Sequence, residues 1–358
     1  MNYAARIARV TARFEELGVE ALLVTNLDNV AYLTGFTGTN GQVLITQTGA
    51  VFYSDPRYAA RSRELVRDAE IVMYEARLTD VLRDRLSQDK FERLGFEAAS
   101  VTVAQRNDFG ERLAPAELVT TFGVVEALRR TKEPEEVRLL KEAVRIGDEA
   151  FAWVRDRIVP GATEQEVALG LEVHMREAGA DAVSFEPIVG SGPLSAHIHH
   201  TPSDRSFGKG DLILMDYGCR WQGYCSDLTR TVVLGGASDE QRVVYDTVLA
   251  AQAAGIGAVM AGALGGDVDA AARRVIEDAG YGDAFEHGLG HGVGLEIHEA
   301  PRMSRTTEDT LMAGDVVTVE PGIYVEDFGG IRIEDCVVVT DEGCEVLGRA
   351  PKEDLIEL

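Results

Sequence analysis

Cysteine is scarce in this 358-residue chain: Cys219, Cys225, Cys336 and Cys344 form no CxxC pair and no disulfide-like framework. Long apolar runs are absent, and none reaches the length of a membrane span. The opening stretch, Met1 to Glu16, is charged and amphipathic and has no apolar signal core, so a cytoplasmic protein is expected. Basic residues are few: 35 Lys+Arg stand against 60 Asp+Glu, a net charge of −25. Such a surface repels nucleic acid and anionic membranes, so neither is expected as a partner. Several catalytic signatures are missing too. There is no GxSxG elbow and no Walker A loop, His298-Glu299 lacks the second histidine of HExxH, and the glycines from Gly288 to Gly294 fail GxGxxG at its last position.

What is present is enough for a sizeable core and two domains, with 45% hydrophobic residues over the whole length. Residues 1–126 read as a small α/β domain. Asn2 to Leu17 has helical spacing and stops at Gly18. Ala21–Thr25, Gln42–Thr46, Val51–Ser54 and Glu70–Tyr74 are short apolar runs bounded by turn formers, hence strands. No catalytic constellation is visible there, and a scaffold or dimerisation role is expected. A basic link from Ala127 to Glu133 ends at Pro134 and opens a second domain, 127–358. A long helix is expected from about Pro134 to Ile158. Thr163-Glu164-Gln165-Glu166 is a capping box that starts the next helix, which should stop at Gly179.

The second domain repeats itself at an offset of about one hundred residues. Gly210-Asp211-Leu212-Ile213-Leu214-Met215-Asp216 matches Gly314-Asp315-Val316-Val317-Thr318-Val319-Glu320. Ile198-His199-His200-Thr201-Pro202 matches Ile297-His298-Glu299-Ala300-Pro301, and Pro160-Gly161-Ala162 matches Ala261-Gly262-Ala263. Each half is then two helices followed by strands. Two such halves pack about a pseudo-twofold axis, sheet inside and helices outside, with Asp216 facing Glu320 and His199 facing His298.

Six of the seven histidines fall in two clusters, His197/His199/His200 and His287/His291/His298. The second lies in His287-Gly288-Leu289-Gly290-His291-Gly292-Val293-Gly294-Leu295-Glu296-Ile297-His298-Glu299. A helix would not keep so many glycines, so this is a loop or irregular strand that aims imidazoles into a site. Asp216 ends an apolar strand and Asp227 starts the returning strand Leu228–Leu234. Glu320 ends Val316–Val319, and Glu334 lies on an expected strand Ile331–Val339. Four carboxylates near one axis repel unless protonated or neutralised. Two divalent cations would neutralise them, with His291 as a nitrogen ligand. This oxygen-rich set suits Mn²⁺ or Co²⁺, with Fe²⁺ and Zn²⁺ also compatible. Such metals, about 3.5–4 Å apart, can share a bridging hydroxide nucleophile.

These residues resemble the Xaa-Pro peptidases, aminopeptidase P and prolidase, of the "pita-bread" metallopeptidase fold. The resemblance rests on Asp216-Tyr217-Gly218, Ser226-Asp227-Leu228-Thr229-Arg230-Thr231, the stretch His287–Glu299, Glu320-Pro321-Gly322-Ile323-Tyr324 and Gly330-Ile331-Arg332-Ile333-Glu334-Asp335. Tyr32-Leu33-Thr34-Gly35-Phe36 and Asp55-Pro56-Arg57-Tyr58 carry it into the first domain. It implies an α/β N-terminal domain of the creatinase/prolidase kind before an α+β pita-bread catalytic domain. It also implies two divalent metals, with Asp216 and Asp227 on one, His291 and Glu320 completing the other, and Asp227 and Glu334 bridging. Glu320 looks like the acid/base that takes a proton from the nucleophilic water. His199, His287 and His298 match histidines that hold the substrate carbonyl and the tetrahedral intermediate, and Arg332 resembles an arginine that orients the carboxylates beside the substrate.

The family usually has Leu-Pro before the histidine at His199, whereas here it is His197-Ile198, which leaves His197 and His200 as further contacts. Proline-containing peptides are the implied substrates, and a homodimer is typical. A dipeptidase must clamp the carboxylate beyond proline, for which Arg302 and Arg57 are the candidates. The first-domain segments look slightly more like bacterial aminopeptidase P, so cleavage of longer Xaa-Pro peptides is expected, with prolidase as the alternative. Methionine aminopeptidase shares the ligand set but typically has His at the position of Asp335 and lacks a domain like residues 1–126. Creatinase and a metal-free binding protein of this fold are disfavoured because all five ligands are present.

Overall fold

The computed structural model describes residues 1–358, which fold as two compact units, Met1–Arg129 and Arg130–Leu358. The division falls within the short helix Glu126–Arg130, just past the boundary expected after residue 126.

The first unit is built on a six-stranded mixed sheet. Its order is Glu70–Met73, Gly49–Ser54, Gln42–Thr46, Ala21–Val24, Arg93–Glu97, Glu117–Thr121. Gln42–Thr46 pairs antiparallel with both of its neighbours, and the other three pairs are parallel. One face buries Leu23, Leu44, Tyr53 and Phe96 against Leu82 and Leu86 of the helix Leu78–Asp89. The amphipathic run expected as one helix is two, Tyr3–Thr11 and Phe14–Leu17, and the second ends at Gly18 with φ 63°. The segment after the first strand holds the helix Leu27–Thr34. The amides of its second and third residues, Asp28 and Asn29, donate to the Asn26 side chain. The fully buried Asn29 amide donates to Glu97 (2.6 Å) and Glu126 (2.7 Å) and accepts from Arg129 (2.7 Å), so its burial is satisfied within this unit.

The second unit contains the expected repeat. The first half has the helices Pro134–Arg155 and Glu164–Glu177 and a three-stranded antiparallel sheet of Leu228–Val233, Leu212–Tyr217 and Ile188–Ser191. The second half has the helices Asp239–Ala258 and Gly265–Asp278. Its five-stranded sheet runs Glu299–Met303, Gly290–Gly292, Val316–Val319, Asp335–Thr340, Gly343–Val346. The repeat extends to backbone detail. Gly161 and Gly262 have φ of 92° and 88°, and Gly210 and Gly314 have 86° and 91°. Thr163 bridges Ser206 in one half, as Leu264 bridges Thr310 in the other. Amide pairs link Gly161 and Ala162 to Phe207, and Gly262 and Ala263 to Leu311, in the same pattern.

Local chemistry explains the helices. Glu133 and Glu136 cap each other at the start of Pro134–Arg155, and Thr163 with Glu166 forms the expected capping box. The long helix buries Leu139 and Leu140 and packs Ala143, Ile146, Ala150, Phe151 and Val154, an i, i+3/i+4 stripe, against the first-half sheet. Each such large side chain contributes about 1.5–3 kcal/mol on burial.

Candidate metal centre and cavity

The two halves place their carboxylates by the same device, an antiparallel pair with an acid at the same end of each strand. Asp216 is the second-last residue of Leu212–Tyr217 and pairs with Thr229, while Asp227 immediately precedes Leu228–Val233. In the other half Val319 pairs with Asp335, so Glu320 and Glu334 flank that pair just outside the strands. Here the sequence reading needs correction. Glu334 does not sit on a continuous strand Ile331–Val339. The ladder breaks between Gly329–Arg332 and Asp335–Thr340. The Glu334 amide instead donates to the Thr229 carbonyl of the first half at 3.2 Å, and that detour turns its side chain inward.

Hydrogen bonds then lock the halves together. The Thr229 hydroxyl donates to Glu334 Oε2 (2.7 Å) and accepts from Arg332 Nε (3.0 Å). Arg332, 2% exposed, also donates to Asp216 Oδ2 (2.6 Å) and to the Tyr324 hydroxyl (2.7 Å). Arg230 donates to the Glu334 carbonyl (2.5 Å) and to Asp335 Oδ1 (2.7 Å). Asp335 is held from its far side by Lys352 and Gln252.

Ligand atoms of Asp216, Asp227 and Glu334 lie within 4.8 Å of one another. His291 Nε2 is 3.6 Å from Asp227 Oδ2 and 3.4 Å from Glu320 Oε1, so all five expected ligands form one cluster. Burial, followed by the neighbouring His298, lowers the His291 pKa to about 4, so the ring is neutral near pH 7 and these contacts are not ion pairs. Burial, together with Glu334, Asp216 and Glu320, pushes Asp227 well above the carboxylate range. Burial, Glu320 and Asp216 do the same to Glu334. Glu320 rises to about 7, mostly through burial, with Arg332 opposing and Asp216 adding to the rise.

Such acids are held neutral only while nothing positive joins them. Asp216 Oδ1 and Glu334 Oε1 are buried with no hydrogen-bond partner. Four converging carboxyl groups, two orphaned oxygens and a neutral imidazole fit divalent cations. One arginine is too little charge to neutralise them.

The histidine stretch is an irregular strand, as expected. Gly290–Gly292 pairs with Glu299–Met303 through a bulge between His291 and Gly292. A Cβ on Gly290 would lie 2.0 Å from the Thr318 carbonyl oxygen, and one on Gly292 2.3 Å from that of Ala300, so only glycine lets these strands approach. His298 packs edge-on against His291 with centroids 4.4 Å apart. The next residue, Glu299, is tied down by Lys132 at 3.1 Å. His287 bonds the Gly288 carbonyl and the Tyr324 hydroxyl, both at 2.8 Å, so both ring nitrogens are engaged within the protein. The Gly288 carbonyl can only accept, so Nδ1 carries the proton, and Nε2 of the neutral ring accepts from the Tyr324 hydroxyl, which in turn accepts from Arg332.

A cavity of about 860 Å³ opens onto this cluster. It is lined by Asp216, Asp227, His291, Glu320 and Glu334, with His199, His298, His287, Arg332 and Arg302, but not by His197 or Arg57. His200 also lines it. The two clamp candidates differ sharply. Arg57, in the first unit, is held bidentate by Asp55 at 2.8 Å on both Nε and Nη2. Arg302 lines the cavity, and no carboxylate holds its guanidinium. Sequence reasoning quoted Tyr324 and Thr229 within motifs but gave them no part. Tyr324 lies four residues after Glu320 on a returning strand, and that spacing was the available signal.

Comparison with known proteins agrees with this geometry. Residues 138–341 match Metallopeptidase family M24, and residues 6–131 match the Creatinase/Prolidase N-terminal domain. The chain is 41% identical to a solved Xaa-Pro dipeptidase from Bacillus anthracis, which it matches over 100% of both chains with a TM-score of 0.97. A solved X-Pro aminopeptidase from Thermotoga maritima is 35% identical, with 97% of this chain and 100% of that one covered and a TM-score of 0.91. The Xaa-Pro dipeptidase of Pyrococcus furiosus is 33% identical, with 97% of this chain and 99% of that protein covered. With two halves that reproduce one another down to their glycines and a carboxylate–imidazole cluster at their junction, the chain belongs to metallopeptidase family M24, in the branch of Xaa-Pro peptidases that carries the creatinase/prolidase N-terminal domain.

Proposed function

We propose that the protein is an Xaa-Pro dipeptidase. The observation that carries this reading is Arg302, an arginine on the cavity wall whose amide is held by Asp309 but whose guanidinium no carboxylate holds. A dipeptide presents a free carboxylate one residue beyond the scissile bond, and a partly desolvated carboxylate requires a cation or several donors. The rival arginine, Arg57, is already bound to Asp55. The dipeptidases from Bacillus anthracis and Pyrococcus furiosus support the same choice. This departs from the aminopeptidase expected from Tyr32–Phe36 and Asp55–Tyr58. That reading keeps one specific support, the Thermotoga maritima neighbour.

Asp216, Asp227, His291, Glu320 and Glu334 would hold two divalent cations, Mn²⁺ by the hard, oxygen-rich donor set. Bound there, the metals supply Lewis acidity and lower the pKa of water at the site. The side chains do the rest. Glu320, oriented by the Thr318 hydroxyl at 3.0 Å, takes the proton of the attacking water at Oε and later passes it to the leaving prolyl nitrogen. That nitrogen carries no N–H, so it is recognised through ring packing. Ile188, Ile198, Ile297 and Met303 supply apolar wall. His298 and His199 stabilise the developing oxyanion. Arg332 and Thr229 keep Asp216 and Glu334 in place so that neither rotates during turnover.

The substrates are proline-containing peptides, and the protein is proposed to act as a homodimer, which sedimentation would test. No helix is long and apolar enough to cross a membrane. The deciding experiment is a panel with Mn²⁺ added: an Xaa-Pro dipeptide against its C-terminally extended tripeptide. A preference for the dipeptide of about tenfold or more in kcat/KM, roughly 1.4 kcal/mol, is the expected result. A preference for the tripeptide would install the aminopeptidase, and no cleavage of either would remove both.

A further inference from the structure

Glu164, the first residue of the helix Glu164–Glu177, has no solvent exposure, yet its side chain is not part of the metal cluster. It accepts five hydrogen bonds. Oε1 takes the Ser191 amide (2.8 Å) and hydroxyl (2.6 Å). Oε2 takes His200 Nε2 (2.8 Å), the Ser203 amide (2.9 Å) and the Ser203 hydroxyl (2.6 Å). Burial alone would raise this carboxyl, but the bonds from Ser191, Ser203 and His200 outweigh it and hold its pKa below the ordinary value. An ionised carboxylate only accepts, so His200 donates through Nε2–H.

The two ends of this carboxylate reach different things. Ser191 closes the strand Ile188–Ser191, whose Ile188 pairs with Asp216. His200 and Ser203 belong to the segment 197–203, which has no strand or helix of its own. Its backbone bonds are few, His197 amide to Leu194, His200 amide to His197 and Gln165 amide to the Ser203 carbonyl, all 3.1 Å. His199 sits in that segment, exposed to the cavity. A loop so sparsely bonded is mobile unless side chains fix it.

We propose that Glu164 and His200 form a positioning clamp that fixes the segment 197–203, and with it His199, at the register of the Asp216 strand. The proposal rests on the peptidase reading, in which His199 contacts substrate. His200 is a positioning residue here, and its own neighbour carries its effect.

The test is a mutant cycle on the metal-loaded enzyme: His200→Ala and His200→Gln, each with and without His199→Ala. An Xaa-Pro dipeptide is the substrate, and backbone amide exchange is followed over 197–203. His200→Ala should lower kcat/KM about ten- to 150-fold, the usual range for losing a hydrogen bond to a charged group. His200→Gln, which keeps a donor, should restore most of it. In the His199→Ala background the His200→Ala effect should shrink to about twofold or less. Exchange over 197–203 should accelerate in His200→Ala and stay slow in His200→Gln. Additive losses would overturn the proposal and make His200 a direct substrate contact, and wild-type kcat/KM in His200→Ala would overturn it outright. If the wild-type enzyme cleaves no Xaa-Pro dipeptide, the peptidase reading fails, and the exchange data alone decide the clamp: unchanged exchange in His200→Ala removes it.

Discussion

Replacing Arg302 with methionine keeps the length and apolar stem of the side chain and removes only the guanidinium. The prediction is a selective loss against substrates that end in a free carboxylate. A guanidinium–carboxylate pair at about 4 Å is worth about 4 kcal/mol at the effective dielectric of a protein surface. Ordering the arginine, which is exposed in the free protein, costs about 1–2 kcal/mol of that. A net of about 2–3 kcal/mol remains, within the range of measured hydrogen bonds to charged groups. Arg332, the other arginine of the cavity, cannot substitute because Asp216, Tyr324 and Thr229 already take its donors. The assay is kcat/KM for Ala-Pro and for Ala-Pro-amide, in wild type and Arg302→Met. The wild type should prefer the acid, and Arg302→Met should lose about thirty- to 150-fold on the acid and about twofold or less on the amide. Equal losses on both would mean that Arg302 shapes the cavity and does not read the carboxylate. No loss on either would refute the clamp.

The remaining predictions concern the cluster itself. Glu320→Gln should lower kcat about 10²–10⁴-fold while the thermal midpoint stays near wild type, and near-normal turnover would refute the proton-transfer role. In chelated, metal-free protein, Glu320 binds its proton more tightly folded than unfolded. Its stabilising contribution is therefore complete below about pH 4.5 and is lost as pH rises to about 7. That shift corresponds to about 3 kcal/mol. Thermal midpoints of chelated protein should fall across this window, Asp227 and Glu334 should steepen the fall, and added Mn²⁺ should raise the midpoints at pH 7. A flat profile would refute the coupling. His298→Ala and His199→Ala should each lower kcat/KM while elemental analysis finds the metals retained. Metal loss in either variant would move that histidine into the ligand set.

Much of the site was legible because its geometry is written at short range. Hairpin spacing sets Asp216 against Asp227, and matched glycines reveal the second half. The break beside Glu334 was hidden because Ile331 to Val339 has an uninterrupted strand composition. Only the partner half, through the Thr229 carbonyl, explains why the ladder stops there. The helix Leu27–Thr34 was obscured by apolar and β-favouring residues, and its cap, Asn26, together with the buried partners of Asn29, decides its form. The strands Arg93–Glu97 and Glu117–Thr121 were missed because charged ends dilute their pattern, and parallel pairing within the sheet holds them. The part played by Glu164 could not be read at all. A capping-box neighbour looks solvated until the loop 197–203 is laid over it.

The hydrogen bonds that join the two hairpins span 101 to 116 positions of sequence, whereas each hairpin closes on itself over a short stretch. Chains form near contacts first, because closing a long loop costs entropy before any contact rewards it. Each half can therefore gain its helices and ladder early, and the carboxylate cluster is the last thing to exist. Refolding watched by far-ultraviolet circular dichroism should run ahead of refolding watched by hydrolysis, even with metal in excess. Coincident traces would show instead that the halves nucleate together.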